Sequence, residues 1–212
     1  GIDEVVILDV TATIEKRKAL ADTIHSVAQH IFLPLCVGGG IRDEHHVEAA
    51  IEAGADKVSL NTAAVTHPEL ITTLARRYGS QAVIVAIDAK RYNDRFQIYV
   101  RSGQESTERD AIEWAAEAAD RGAGEILLTS WDRDGTKSGY DGELLRAVSN
   151  AVTVPVIASG GAATPQHLLD ALRAGAHAVL AAAAVRALHA AEAAGAAAGS
   201  SGSGSRTFAA GR

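Results

Sequence analysis

Slid along itself by 121 positions, the chain meets its own pattern without a gap, and this internal repeat restricts the fold more than any other feature. Pro34 falls on Pro155, Gly39-Gly40 on Gly160-Gly161, Gly54-Ala55 on Gly175-Ala176 and Val58 on Val179. Gly1 falls on Gly122, Glu4 on Glu125 and Asp9 on Ser130. Within each half, short apolar runs alternate with helical patterns, which marks βα units built on a parallel sheet. Strands are expected near 4–9, 34–38, 57–60, 82–88, 125–130, 154–158 and 178–182. Helices are expected near 16–30, 43–53, 68–78, 108–121, 141–151 and 165–174. Thr164-Pro165 supplies an N-cap followed by proline at the first helical position. Tyr92-Asn93-Asp94-Arg95 and the β-rich run 96–100 predict a hairpin inserted in one βα loop.

A doubled block of four units makes an eight-unit ring, an α/β fold of the (β/α)8 TIM-barrel type. The strand ending in Asp88 should have its twin at 203–209, where the chain reads Ser203-Gly204-Ser205-Arg206-Thr207-Phe208-Ala209. In a ring that twin is the first strand, upstream of Gly1. The expectation is therefore an incomplete barrel over 1–184, lacking its first βα unit and its last helix, with an open edge that invites self-association. Residues 185–212, rich in Ala and then Gly and Ser, are expected to be a flexible tail.

Composition narrows the function classes. With 20 Lys+Arg against 26 Asp+Glu, a net charge of −6 and no basic run, neither nucleic acid nor an anionic membrane is a standing partner. The apolar run from Ala178 to Val185 is far short of the ~20 residues that a spanning helix needs. Cys36 is the single cysteine, so no intramolecular disulfide forms, and the composition fits the cytoplasm.

Catalytic groups in a barrel of this type sit at the carboxyl ends of its strands. Val37-Gly38-Gly39-Gly40-Ile41 ends one strand and leads into a helix, where open backbone N–H groups can hold a phosphate. Ala158-Ser159-Gly160-Gly161-Ala162 repeats the device half a ring away. Glycines also make tight turns, so either loop alone carries little, but two at equivalent positions imply a substrate with a phosphate at each end. Asn61, Thr62 and Ser159 are added donors, and Asp88 ends a strand where an acid or base would act. Asp9, Thr129, Ser130 and Asp134 converge on the same mouth, whereas Glu4, Lys57 and Glu125 start strands and ring the opposite one.

No metal or cofactor is called for. Asp132, Asp134 and Glu143 mimic a calcium loop, but Lys137 stands where that loop needs glycine. His45, His46 and Glu48 lack the spacing of a zinc helix and fit a solvated helix face. Cys36, inside a buried strand, reads as packing.

The runs Phe32 to Ile41 around VGGGI, Ala55 to Ala64, Gly79 to Lys90 around VAIDAK, Arg121 to Ser130, Asp132 to Asp141 in DRDGTKSGYD, and Ile157 to Ala162 resemble the cyclase subunits of imidazole glycerol phosphate synthase. The likeness spans roughly residues 1–182. It implies a carbon–nitrogen lyase of histidine biosynthesis that takes ammonia from a glutamine amidotransferase partner. It implies further that a phosphoribulosyl formimino carboxamide ribotide, a bisphosphate, is converted to imidazole glycerol phosphate and aminoimidazole carboxamide ribotide.

By position, the resemblance makes Asp88 a catalytic aspartate and places Asp9, Asn61, Thr129, Asp134 and Ser159 along the substrate. It assigns one phosphate to Gly39, Gly40 and Thr62 and the other to Gly160, Gly161, Ala182 and Ala183, the last standing where the family usually has Ser. Glu4, Lys57 and Glu125 correspond to a charged gate for ammonia, and Asp56 to a docking residue beside it. The gate's arginine and a second catalytic aspartate belong to the strand expected upstream of Gly1. Two other readings compete: a barrel fragment that binds phosphates without turnover, and the isomerase of the same pathway, against which the VAIDAK and DRDGTKSGYD wording stands.

Overall fold

Short polar residues at the right places start the helices. In the computed structural model, which describes residues 2–8, 14–181 and 206–211, Asp43 accepts from the backbone N–H of His46 at the start of α2 (Glu44–Glu52). Asp110 caps α5 (Ala111–Asp120) through Ile112 and Glu113, and Asp141 caps α6 (Gly142–Ala151) through Leu144. Thr164 caps α7 (Pro165–Arg173) through His167, with Pro165 where its missing N–H costs nothing. The other helices are α1 (Ile14–His30), α3 (Thr62–Thr66) and α4 (Glu69–Tyr78).

The strands are β1 (Glu4–Leu8), β2 (Leu35–Gly38), β3 (Lys57–Leu60), β4 (Val83–Tyr92), β5 (Arg95–Val100), β6 (Glu105–Asp110), β7 (Glu125–Ser130), β8 (Val156–Ser159), β9 (Ala178–Leu180) and β10 (Arg206–Gly211). Parallel pairing runs β3-β2-β1-β10-β9-β8-β7-β4, and β4 returns to β3, so the ring closes. The expected insertion is present and larger than expected. Asn93, at φ 53, turns β4 into β5, and β6 adds a third antiparallel strand where the sequence reading starts a helix at 108.

The expected open edge is not found. Residues 206–211, read from sequence as part of a flexible tail, form β10 between β9 and β1, with Glu4 in register with Phe208 and Ala178 with Arg206. The physical reason is the seam itself: two flanking strands present unpaired N–H and C=O groups, a template that any extended segment can fill. The strand's twin position is thus taken by the segment at which the 121-residue repeat arrives, although its sequence does not resemble a barrel strand. A chain ending at Ser205 should expose both edges. Light scattering should then report dimers or larger species, and hydrogen exchange should report faster loss at β1 and β9. A monomeric truncated chain with unchanged protection would show that β10 does not close the ring.

Two apolar layers follow from the period of two along each strand. Outward residues pack with the helices around Trp114, Leu74, Ile71 and Val148. Inward residues Val6, Cys36, Ile84, Leu127, Ile157, Ala178 and Leu180 fill the barrel. The same inward faces carry polar groups at both ends: Lys57 and Asn61 flank β3, Asp88 lies beyond Ile84 on β4, and Glu125 and Thr129 lie at the two ends of β7. Burial drives the Cys36 thiol far above its ordinary pKa, with the nearby Glu4 charge adding to the effect, so it packs as a small neutral group.

Candidate active site

Asp88 sits on β4 in register with Thr129 of β7 on one side and Tyr99 of β5 on the other. The amide Nδ2 of Asn61, at the end of β3, donates to its Oδ2 at 2.9 Å. Thr129 is in turn in register with Ser159 of β8, so Asn61, Asp88, Thr129 and Ser159 form one half-buried arc at the carboxyl ends of adjoining strands. Burial raises the Asp88 pKa above the ordinary aspartate range. Hydrogen bonds from Trp131, Asn61 and Thr129 oppose that shift, and the charge of the exposed Asp134 adds to it. A carboxyl so placed takes up a proton more readily than a solvated aspartate does, which suits it to proton transfer.

Glycine loops flank this arc. Gly39 and Gly40 leave β2 at φ 84 and 65. Gly160 and Gly161 leave β8 at φ 90 and 96, where a side chain at Gly160 would meet the Ser130 carbonyl at 2.9 Å and one at Gly161 would strike Gly139. The second loop is therefore glycine for two reasons, backbone sign and close approach. Gly139 N–H donates to the Gly161 carbonyl at 2.8 Å, which ties the DRDGTKSGYD segment to it. Thr62 opens α3, and its hydroxyl oxygen accepts from the backbone N–H of Arg101 at 3.0 Å. Asp9, Ala182 and Ala183 lie outside the described residues.

At the opposite mouth, the Lys57 ammonium donates to Glu4 Oε2 and to Glu125 Oε1, each at 2.7 Å. Burial pulls the Lys57 pKa down, but the two carboxylates outweigh it and hold the group above the usual lysine range. Asp56 is exposed, and its Oδ2 accepts from Leu35 N–H at 2.8 Å, so it also anchors the start of β2. The calcium-like carboxylates serve the inserted hairpin instead: Asp132 accepts from the Arg91 backbone N–H, and Glu143 pairs with the Arg91 guanidinium. Trp131 and Arg101 are the two site residues that the sequence reading passes over. Alternation from Thr129 to Trp131 would have placed the indole on the inward side of the same strand end.

The sequence that builds this site is similar to those of known proteins. The model of the histidine biosynthesis protein family matches residues 1–193. The chain is similar to imidazole glycerol phosphate synthase subunit HisF of Acidobacterium capsulatum, at 55% identity over 183 residues, 86% of this chain and 72% of that protein. It is 54% identical over 182 residues to the HisF subunit of a Thermotoga species, with the same shares of the two chains, 86% and 72%. The HisF subunit of Pyrobaculum aerophilum is 52% identical over 182 residues, again 86% of this chain and 72% of the relative. The chain belongs to the HisF family. HisF is the cyclase subunit of imidazole glycerol phosphate synthase in histidine biosynthesis, so family membership agrees with a barrel whose inward face carries polar groups at both ends. No helix among the described residues is long and apolar enough to cross a membrane.

Proposed function

We propose that this HisF chain turns over a bisphosphate ribotide as a carbon–nitrogen lyase, in the cytoplasm, with Asp88 as its acid and base. Ammonia from a glutamine amidotransferase subunit would enter past Glu4, Lys57 and Glu125 and meet the phosphoribulosyl formimino carboxamide ribotide at Asp88. Imidazole glycerol phosphate and aminoimidazole carboxamide ribotide would leave. The observation that carries this reading is the half-buried Asp88 carboxyl, held by Asn61 at 2.9 Å between two positive-φ glycine loops. Gly39, Gly40 and Thr62 would hold one phosphate, and Gly160 and Gly161, joined by Ala182 and Ala183, the other. Asp9, Thr129, Asp134 and Ser159 would line the substrate between them. Asp56, exposed beside the exposed Phe32 and Leu33, would face the partner subunit.

The chemistry asks one group to take and return a proton while the new nitrogen is incorporated and the carboxamide ribotide departs. Asp88 suits the role because burial raises its pKa and so narrows the free-energy gap between its ionised and protonated forms relative to a solvated aspartate. The test is release of aminoimidazole carboxamide ribotide by the purified chain from the bisphosphate substrate and ammonium, with no partner present. Release that saturates with substrate supports the proposal. A folded sample that binds inorganic phosphate but releases no product would leave the chain a phosphate-binding barrel.

A further inference from the structure

Three consecutive residues in the segment after β7 each hold a different strand end. The Gly139 N–H donates to the Gly161 carbonyl, beyond β8, at 2.8 Å. The phenol of Tyr140 reaches past β8 and donates at 2.9 Å to the carbonyl of Leu180, the last residue of β9. Asp141 takes the hydroxyl of Ser130, at the end of β7, at 3.3 Å, and its other oxygen accepts from Leu144 N–H at the start of α6. Residues 139–141 thus bridge the carboxyl ends of β7, β8 and β9, and α6 leaves directly from that bridge.

Backbone contact and burial both fix the bridge in place. A Cβ at Gly161 would lie 2.3 Å from the Gly139 carbonyl oxygen, so the two segments touch with no room for a side chain between them. Tyr140 is half-buried, with its ring packed against the outer apolar layer. Burial pushes its phenol above the ordinary tyrosine pKa, so the group stays a neutral donor through neutral pH. A glycine loop binds an anion by aiming backbone N–H groups at it, and affinity is gained when those groups are fixed before the anion arrives. We infer that residues 139–141 are a strap that sets the Gly160-Gly161 loop and the end of β9 as one unit, with Tyr140 as a positioning residue for the phosphate held there. The inference deepens the proposed phosphate role of Gly160 and Gly161 and rests on that reading for its binding part only.

Tyr140→Phe keeps the ring and removes the donor, and hydrogen exchange of the nitrogen-15-labelled protein reads the strap directly. The Gly139 amide should exchange about 2- to 10-fold faster in the variant, the range that one hydrogen bond supplies. The Gly79 amide, which donates to Ala75 at the end of α4, should exchange at an unchanged rate. An unchanged rate at Gly139, or equal acceleration at both amides, overturns the strap whether or not the chain binds phosphate.

Binding supplies the second arm, with inorganic phosphate as the probe and the Gly161 and Gly40 amide resonances followed in one titration. Tyr140→Phe should raise the Kd read at Gly161 about 3- to 10-fold and leave the Kd read at Gly40, on the loop after β2, unchanged. Equal weakening at the two loops would mean that Tyr140 only packs, and would overturn its positioning role. If phosphate moves neither amide in the unmodified chain, the proposed phosphate role of the loops fails and the binding part of the inference fails with it. Exchange at Gly139 would still decide the strap.

Discussion

Asp88→Asn should lower ammonia-dependent turnover by about 10²- to 10⁴-fold while making the barrel harder to unfold at neutral pH. Both effects come from one cause. The folded state holds the Asp88 pKa above its ordinary value because the carboxyl is shielded from water, an effect that the bonds from Trp131, Asn61 and Thr129 only partly offset. Between the unfolded and the folded pKa the folded chain binds more protons, so stability falls as pH rises through that window and stays lower above it. An amide has no charge to desolvate, and its oxygen still accepts from Asn61. Thermal unfolding should therefore show a higher Tm for the variant at pH 7 and a gain that disappears below the ordinary aspartate pKa, where both side chains are neutral. A lower Tm at pH 7 combined with retained turnover would remove Asp88 from the reaction and from the strain that a functional site carries.

How much of this is legible in the chain depends on the length and regularity of each segment. The 121-residue repeat implies a ring, and the apolar runs mark the seven strands from β1 to β9 that belong to it, with bounds moved by a few residues at most. Thr164-Pro165 signals α7 because the cap chemistry is local. Segments without period escape. Glu105–Asp110 is polar throughout and becomes β6 only because β5 lends it a partner, while Thr62–Thr66 is too short to show a helical face. Arg206–Gly211 follows a Ser/Gly stretch and becomes β10 through the demand of a seam that no local signal reveals. The site divides in the same way. Asp88, Asn61 and Thr129 stand at strand ends that alternation identifies, and Glu4, Lys57 and Glu125 at strand starts. Trp131 stands one residue past a strand, and its contact with Gly103 depends on a hairpin turn 28 positions away in sequence, so no pattern joins them.

The ion cluster at the other mouth offers the second large effect. Lys57→Met should destabilise the fold by about 3–5 kcal/mol at neutral pH, the range for breaking a buried pair by removing one partner. The size of the effect follows from burial: the side chains of Lys57, Glu4 and Glu125 are only 11%, 3% and 10% exposed. With the ammonium gone, two largely buried carboxylates that converge on one point lose the counter-charge they share and repel each other. The variant should thus regain stability as pH falls and one carboxylate takes a proton. The unmodified chain behaves oppositely at the far end of the scale. Its Lys57 pKa is raised on folding, so the cluster's contribution is complete below the ordinary lysine pKa and is lost as pH rises through the folded value. Urea unfolding at a series of pH values should show the gap between the two proteins narrowing in acid, and adding Glu4→Gln with Glu125→Gln should restore part of the loss. If Lys57→Met unfolds at the same urea concentration as the unmodified chain at pH 7, the three charges are a solvated ring, and a gate for ammonia needs other residues. If the loss is as large as expected, the same side chains that would admit ammonia also hold β1, β3 and β7 together, and a substitution meant to open the gate must be judged first by whether the barrel survives it.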